Sequence, residues 1–457
     1  MNDLLQRCSP TRWVARACTP VDIASLAALR IGVGALLLIS VVRFWAMGWI
    51  DELYVMPRSW LPYWGFGWIE PLPSPAMHAV FVAMAACALL VTLGLSYRLA
   101  AIGLLLSFVF VELLDATNYL NHYYLVSLLL LGAVLAPLGR AWSLDAWLGR
   151  VQRRQHVPAW MVAAVRLQLG LVYLFAGVAK LGTDWLVHAQ PLRLWLPVHA
   201  DMPVVGPWLA APALAHVLSI GGAVFDLAVF PALLWARTRP WAYAAVIGFH
   251  TVTGLLFPIG MFPWIMIVAT TVFFAPDWPR RWITRLRAEE VVSPAHPSIP
   301  RGRAAVLGAL ALGAWFGVQL ALPLRSLAYP GNVSWHEQGH RFAWRVMVVE
   351  KTGWIEYRVV DGATGRTWWV DPSLELTRRQ SAMLAVQPDL ILRHAHRIAQ
   401  RFRDGGVDDV QVYADAFVAF DGRPSTRMID PAVDLAAVQD GLDAYAWVLP
   451  TPSTDPS

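Results

Sequence analysis

Lys180, within FAGVAKLGTDW at 175–185, is one of two lysines in a chain of 457 residues that carries 34 arginines. Where arginine fills almost every site needing only positive charge, a retained lysine points to chemistry a guanidinium cannot perform. Arginine stays protonated, whereas an amine withdrawn from water can give up its proton near neutral pH and act as a base. A lysine stem can also snorkel to a membrane edge, but arginine does that equally well. Lys180 is therefore read as a base.

Two further stretches carry groups able to join it. In LLDATNYLNHYYL, Asp115, Asn118, Asn121 and His122 lie in a short connection between apolar runs. Asp and Asn suit a hairpin turn for local backbone reasons, while His122 opens the next apolar run and can titrate near neutrality at a membrane-edge cavity. In GFHTVTGLLFPIGMFPW, His250 lies inside an apolar run, where an ionisable side chain costs about 3 kcal/mol. Either a functional role or an interhelical hydrogen bond would account for it. Asp226 and Arg166 raise the same question and could pair across helices. His336-Glu337-Gln338-Gly339-His340 matches the zinc-protease pattern HExxH, which needs one helix to align both histidines. The match follows Pro330-Gly331-Asn332 and contains Gly339, so no such helix and no metal are expected. His394 and His396, two apart on a helix, are expected at the surface.

Composition indicates the frame that holds these groups. Hydrophobic residues make up 57% of the chain and charged residues 15%, too apolar for an ordinary soluble protein. The expected fold is a polytopic α-helical membrane domain, residues 1–322, followed by a small β-rich α+β extracytoplasmic domain, residues 323–457. Nine apolar runs read as spans: 23–42, 76–96, 99–114, 123–138, 161–181, 214–235, 241–257, 262–275 and 304–323. The third, fourth and eighth are short against the roughly 20 residues a helix needs to cross. Arginines alternate between the loops, with sixteen on one side, including Arg7, Arg12, Arg140, Arg154, Arg239 and Arg285. Cytoplasmic loops hold the basic excess, so the N-terminus is expected in the cytoplasm and the C-terminal domain outside a multi-pass cell-membrane protein. The net charge of +5 is mostly this signal, and no basic patch with interleaved aromatics suggests nucleic acid. The run from Ile23 is long enough to anchor, and no cleavage site follows it. Cys8, Cys18 and Cys87 leave no disulfide for the external domain.

Beyond residue 323 strand-like alternation takes over. HRFAWRVMVVEKTG and WIEYRVVDGATGRTWWVDP read as a hairpin turning at Lys351-Thr352-Gly353, with another turn at Asp361-Gly362. Residues 377–403 read as helical, with Leu384, Ile391, Leu392, Ile398 and Phe402 on one face. Residues 288–300 read as linker.

Six or more of these motifs, in order, resemble the vitamin K-dependent gamma-carboxylases and their bacterial homologues, which share the HTTM membrane domain. FAGVAKLGTDWL, LDATNYLNHYYL, FHTVTGLLFPIGMFPW and FFAPDWPRR resemble its membrane part; FAWRVMV, DGATGRTWWVDP and IDPAVDL resemble its lumenal part. The resemblance implies that Lys180 deprotonates reduced vitamin K or menaquinol. Addition of dioxygen then yields a stronger base that takes a glutamate γ-proton; the carbanion captures carbon dioxide and the quinone leaves as its epoxide. It implies His122 in the carboxylation half, with Asn121, Asp115 and His250 in supporting or substrate-binding roles. Implied partners are a lipid-soluble quinol, a glutamate-containing protein or peptide, and membrane lipids; no metal is implied. Ala179 stands where animal members have the first of two lysines, so only the second is matched, and their cysteine bridge has no counterpart. Two other readings stay open: a non-catalytic membrane scaffold or carrier, and a quinol epoxidase without carboxylation.

Overall fold

A computed structural model describes residues 16–284 and 303–452. Arg7, Arg12, Arg285, Arg287 and Arg301, Cys8 and the linker 288–300 lie outside these. A helix satisfies its own backbone hydrogen bonds, so apolar runs placed in lipid become helices. The runs form α1 (Ala24–Ala46), α2 (Ser74–Leu93), α3 (Tyr97–Leu114), α4 (Asn121–Leu135), α5 (Ala159–Ala179), α6 (Pro212–Leu234), α7 (Arg239–Leu256), α8 (Phe262–Thr270) and α9 (Arg303–Leu324). Among the described residues six helical segments are long and apolar enough to cross a membrane: α1, α2, α3, α5, α6 and Val306–Ala328. The third run, expected to be short, is thus of spanning length, whereas α4 and α8 are shorter, as expected. The chain is a multi-pass membrane protein.

Helix neighbours follow chain order, α1 with α2, α2 with α3, α3 with α4, α5 with α6, α6 with α7 and α7 with α8. A two-stranded antiparallel pair, β1 (Pro20–Asp22) and β2 (His156–Pro158), ties the start of α1 to the start of α5. Two arginines, Arg30 buried and Arg166 half-buried, donate to backbone carbonyls, among them those at helix ends, rather than pairing with acids. Arg30 donates to Val91 O at 2.7 Å and Trp142 O at 2.6 Å. Arg166 donates to Val272 O at 2.9 Å and Phe274 O at 2.8 Å. Carbonyls left unpaired at a helix C-terminus carry partial negative charge, so a guanidinium fits there without a carboxylate. The expectation that Arg166 might pair with Asp226 is thereby corrected.

The C-terminal domain is α+β. Its antiparallel sheet runs β4-β3-β5-β6, from β3 (Lys351–Asp361), β4 (Thr367–Val370), β5 (Val410–Phe420) and β6 (Thr426–Arg427). Burial alternates along β5 residue by residue, so one sheet face is core and the other is not. The core face is covered by α10 (Arg378–Leu384) and α11 (Pro388–Asp404), with Leu384, Ile391, Leu392 and Ile398 fully buried. Three expectations change. The helical stretch breaks at Pro388, which occupies the first turn of α11. His394 is fully buried against Tyr357 of β3 rather than exposed, because it follows Ile391 by three residues and precedes Ile398 by four and so lies on the face that packs on the sheet. And Lys351-Thr352-Gly353 is not a turn but the start of a continuous β3; the hairpin closes at Asp361–Arg366.

Residues 340–350, expected to be part of a strand, are irregular and run between the two domains. Phe342, Trp344 and Met347 take left-handed backbone conformations, φ 60°, 59° and 55°, which cost energy for non-glycine residues and persist only where surroundings over-determine them. Trp344 is buried in the membrane-domain core, stacked on Tyr124 at 4.9 Å. In exchange, Leu61, Tyr63 and Ala116 from membrane-domain loops are buried in the core of the C-terminal domain. The domains are interlocked.

Candidate functional site

Glycine sets the distance between the helices that meet at Lys180. A Cβ on Gly177 would lie 2.8 Å from the Leu227 side chain, and one on Gly170 would lie 2.4 Å from Phe230. Small residues there let α5 and α6 approach closely. That approach brings Asp226 of α6 to Lys180, the residue that ends α5. Lys180 Nζ donates to Asp226 Oδ2 at 2.8 Å, to Ala176 O at 3.3 Å and to Val346 O at 3.4 Å. Both side chains are only 6% exposed. The Trp185 ring centroid lies 5.2 Å from Nζ, and its indole is fixed by donating to Ser219 O at 2.7 Å.

The pair faces a cavity of about 300 Å³ between α5, α6 and α7, lined almost wholly by carbon. His250 of α7 lines the same cavity. Its Nε2 sits 3.1 Å from Tyr173 OH, and its Nδ1 is buried with no protein partner. The interhelical hydrogen bond considered for His250 therefore exists. Val346 and Met347, from the irregular segment, also line the cavity and close it on the C-terminal-domain side.

This arrangement alters the chemistry expected of Lys180. An amine ion-paired to a carboxylate is not itself a base. For Lys180 to take a proton from a ligand hydroxyl, its own proton must pass to Asp226, 2.8 Å away.

The remaining sequence-derived residues lie outside the cavity lining. His122 is buried between Tyr123, at 4.5 Å, and Phe262, at 5.8 Å. Phe262 lines the cavity and packs on His250 at 5.6 Å, so one aromatic ring separates the two histidines. Asn121 accepts from Tyr119 OH at 3.0 Å and donates to Arg345 O at 3.1 Å, anchoring the roof segment just before Val346. Asp115 caps its own turn through Thr117, at 2.9 Å from the amide, and accepts from Gln380 of α10 at 2.6 Å. Burial pushes its carboxyl upward, partly offset by hydrogen bonds from Gln380 and Thr117. Asn118 accepts from Arg379 at 3.0 Å. The connection between α3 and α4 is thus a socket for the C-terminal domain.

The HExxH residues form no aligned helix. A four-residue helix ends at His336, and Glu337 is left-handed, φ 63°. Glu337 pairs instead with Lys351 and lies 3.4 Å from His340. Burial alone would raise its carboxyl, but His340 and Lys351 hold it below the ordinary range. Among the described residues no group of three or more His, Cys, Asp or Glu is placed to hold a metal.

Residues 18–278 match the HTTM domain, and residues 305–454 match the vitamin K-dependent gamma-carboxylase lumenal domain. The chain belongs to the vitamin K-dependent gamma-carboxylase family. No solved structure matches it. The gamma-carboxylase lumenal-domain match begins inside α9 and includes the segment that roofs the cavity, so the site draws on both matched parts. Sequence reasoning did not pair Asp226 with Lys180 and did not find Tyr173 or the roof. An acid inside a span signalled Asp226; nothing local signalled the others.

Proposed function

We propose that the chain is a membrane enzyme coupling oxygenation of a reduced quinol, vitamin K hydroquinone or menaquinol, to its 2,3-epoxide with carboxylation of protein glutamate. The observation that carries this reading is the Lys180 amine, 2.8 Å from Asp226, at one end of an apolar cavity. The residues fit such a ligand. The cavity is at the small end for a bound organic molecule, apolar for a ring system, and has few polar groups to orient hydroxyls. When bound, the quinol supplies the reaction with dioxygen that generates a strong oxygen base.

Lys180 takes the proton from a quinol hydroxyl and Asp226 receives the one Lys180 gives up, which keeps net charge balanced in a dry site. His250 borders the quinol, its ring fixed by Tyr173 through Nε2. Phe249, Phe262 and Trp185 exclude water. His122 serves the carboxylation half from behind Phe262, while Asn121 and Asp115 hold the roof and the domain seam. The C-terminal domain lies on the extracytoplasmic side, where a glutamate-containing protein would meet the roof. Domain limits of 1–322 and 323–457 are proposed with the roof segment as part of the membrane-domain site. The placement of His122 outside the cavity lining favours one second reading, quinol epoxidation without carboxylation.

The test is incubation of purified protein with reduced quinol, bicarbonate and a glutamyl peptide, measuring epoxide and carboxylated peptide separately. Lys180→Ala and Lys180→Arg should abolish epoxide formation; normal turnover in either variant overturns the assignment of the base.

A further inference from the structure

The cavity at Lys180 reaches the lipid-facing surface between α6 and α7. Among its lining residues, Leu218 of α6 and Val252 of α7 are 36% and 50% exposed, and Gly221 and Gly248 are exposed beside them. These two glycines are unlike those on α5. A Cβ built on Gly221 or Gly248 would meet nothing within 4 Å, whereas Gly170 and Gly177 are pressed against α6. Close helix packing therefore does not explain them. Open glycines also occur along α9, at Gly308 and Gly313, but no cavity residue lies there. At Gly221 and Gly248 the open space continues inward to an end lined by Lys180, Asp226 and His250.

We propose that the gap between α6 and α7 is a lateral opening through which a quinol enters from the bilayer and in which its polyprenyl tail lies during turnover. This rests on the quinol reading above. About 300 Å³ is at the bottom of the range of ligand cavities, suited to a bicyclic ring but not to ring and polyprenyl chain together. The tail must leave the cavity, and the roof side is closed by Val346 and Met347 and by the C-terminal domain. Toward lipid the tail meets Leu218, Val252 and Leu256, carbon on carbon. The opening selects for an apolar chain attached to the ring and places the hydroxyls last, at the end where the pair waits.

Two measurements on the full chain in phosphatidylcholine vesicles test this. A menaquinol analogue with a diazirine in its tail should label α6 and α7 around Leu218 and Val252 on illumination, whether or not it is turned over. Gly221→Leu and Gly248→Leu, each made separately, should lower kcat/KM for tailed menaquinol relative to the tail-less 2-methyl naphthohydroquinone by about tenfold. Labels on other helices, or equal loss with both quinols, overturn the opening. If α6 and α7 are labelled but no epoxide forms, the opening stands and the proposed function falls. If epoxide forms without such labels, the function stands and the opening falls.

Discussion

The Lys180 and Asp226 pair should show strong energetic coupling, and its size can be worked from the geometry. At 2.8 Å and an effective dielectric of about 20, the attraction is about 6 kcal/mol. Withdrawing each ion from water costs several kcal/mol, so the intact pair contributes little net stability. Removing one partner is different, because the other is then stranded in an almost wholly carbon-lined cavity at a cost of about 3–5 kcal/mol. Lys180→Met and Asp226→Leu should each destabilise by that amount. The double variant strands no charge, so its loss should fall well below the sum of the two, with a coupling of at least about 3 kcal/mol. The assay is reversible unfolding in mixed micelles for the wild type, both single variants and the double variant. Additivity within about 0.5 kcal/mol would refute the claim that the two charges are a unit, and with it the proton route through Asp226.

Asp421 should give a pH signature. Burial, with Asp184 and Glu350 nearby, pushes its carboxyl up to about 6 from 3.8. A folded-state value above the unfolded one means that Asp421 favours folding most below pH 4, and that this contribution is lost as pH rises through 6. Asp421→Asn should therefore be more stable than wild type at pH 8, by at most about 3 kcal/mol, with the difference closing toward pH 4; a pH-independent difference in unfolding midpoint would contradict this. Trp344→Ala should cost about 3–5 kcal/mol, since this side chain, 1% exposed, fills the membrane-domain core. It should also make residues 340–350 sensitive to limited proteolysis, and a loss below about 1 kcal/mol would show that the segment is only draped across the seam.

What the sequence disclosed follows from how local each cause is. Apolar runs become helices in lipid whatever their neighbours, so all nine runs were legible as helices, though among the described residues only six segments are long and apolar enough to cross a membrane; the face of Leu384, Ile391, Leu392 and Ile398 on the α10 and α11 stretch was legible too. Lys180 was legible from scarcity alone, and His250 from the cost of an ionisable group in a span. Pairings between distant positions were not. Asp226 lies 46 residues from Lys180, and only glycine-mediated approach of α5 and α6 reveals that they touch. The alternation in FAWRVMVV has the pattern of a strand, yet its residues serve two bodies, Trp344 in the membrane-domain core and Phe342 and Val349 against the core of the C-terminal domain. Spacing put His394 and His396 on different faces, and His394, three residues after Ile391 and four before Ile398, falls on the core face, a consequence that was legible but not drawn.

The second lysine sharpens the meaning of the first. Lys351, 4% exposed at its side chain, is held by Glu337, by Trp335 O at 3.4 Å and by Val386 O at 2.8 Å. With Lys180 equally hidden, the folded chain presents no lysine amine to water, and its surface cations are arginines. Lysine acylation or conjugation must therefore wait for the structure to open. Because Lys180 opens with its cavity and Lys351 with the C-terminal domain seam, their rates of reaction with an amine reagent would clock the two motions separately, one signal for each.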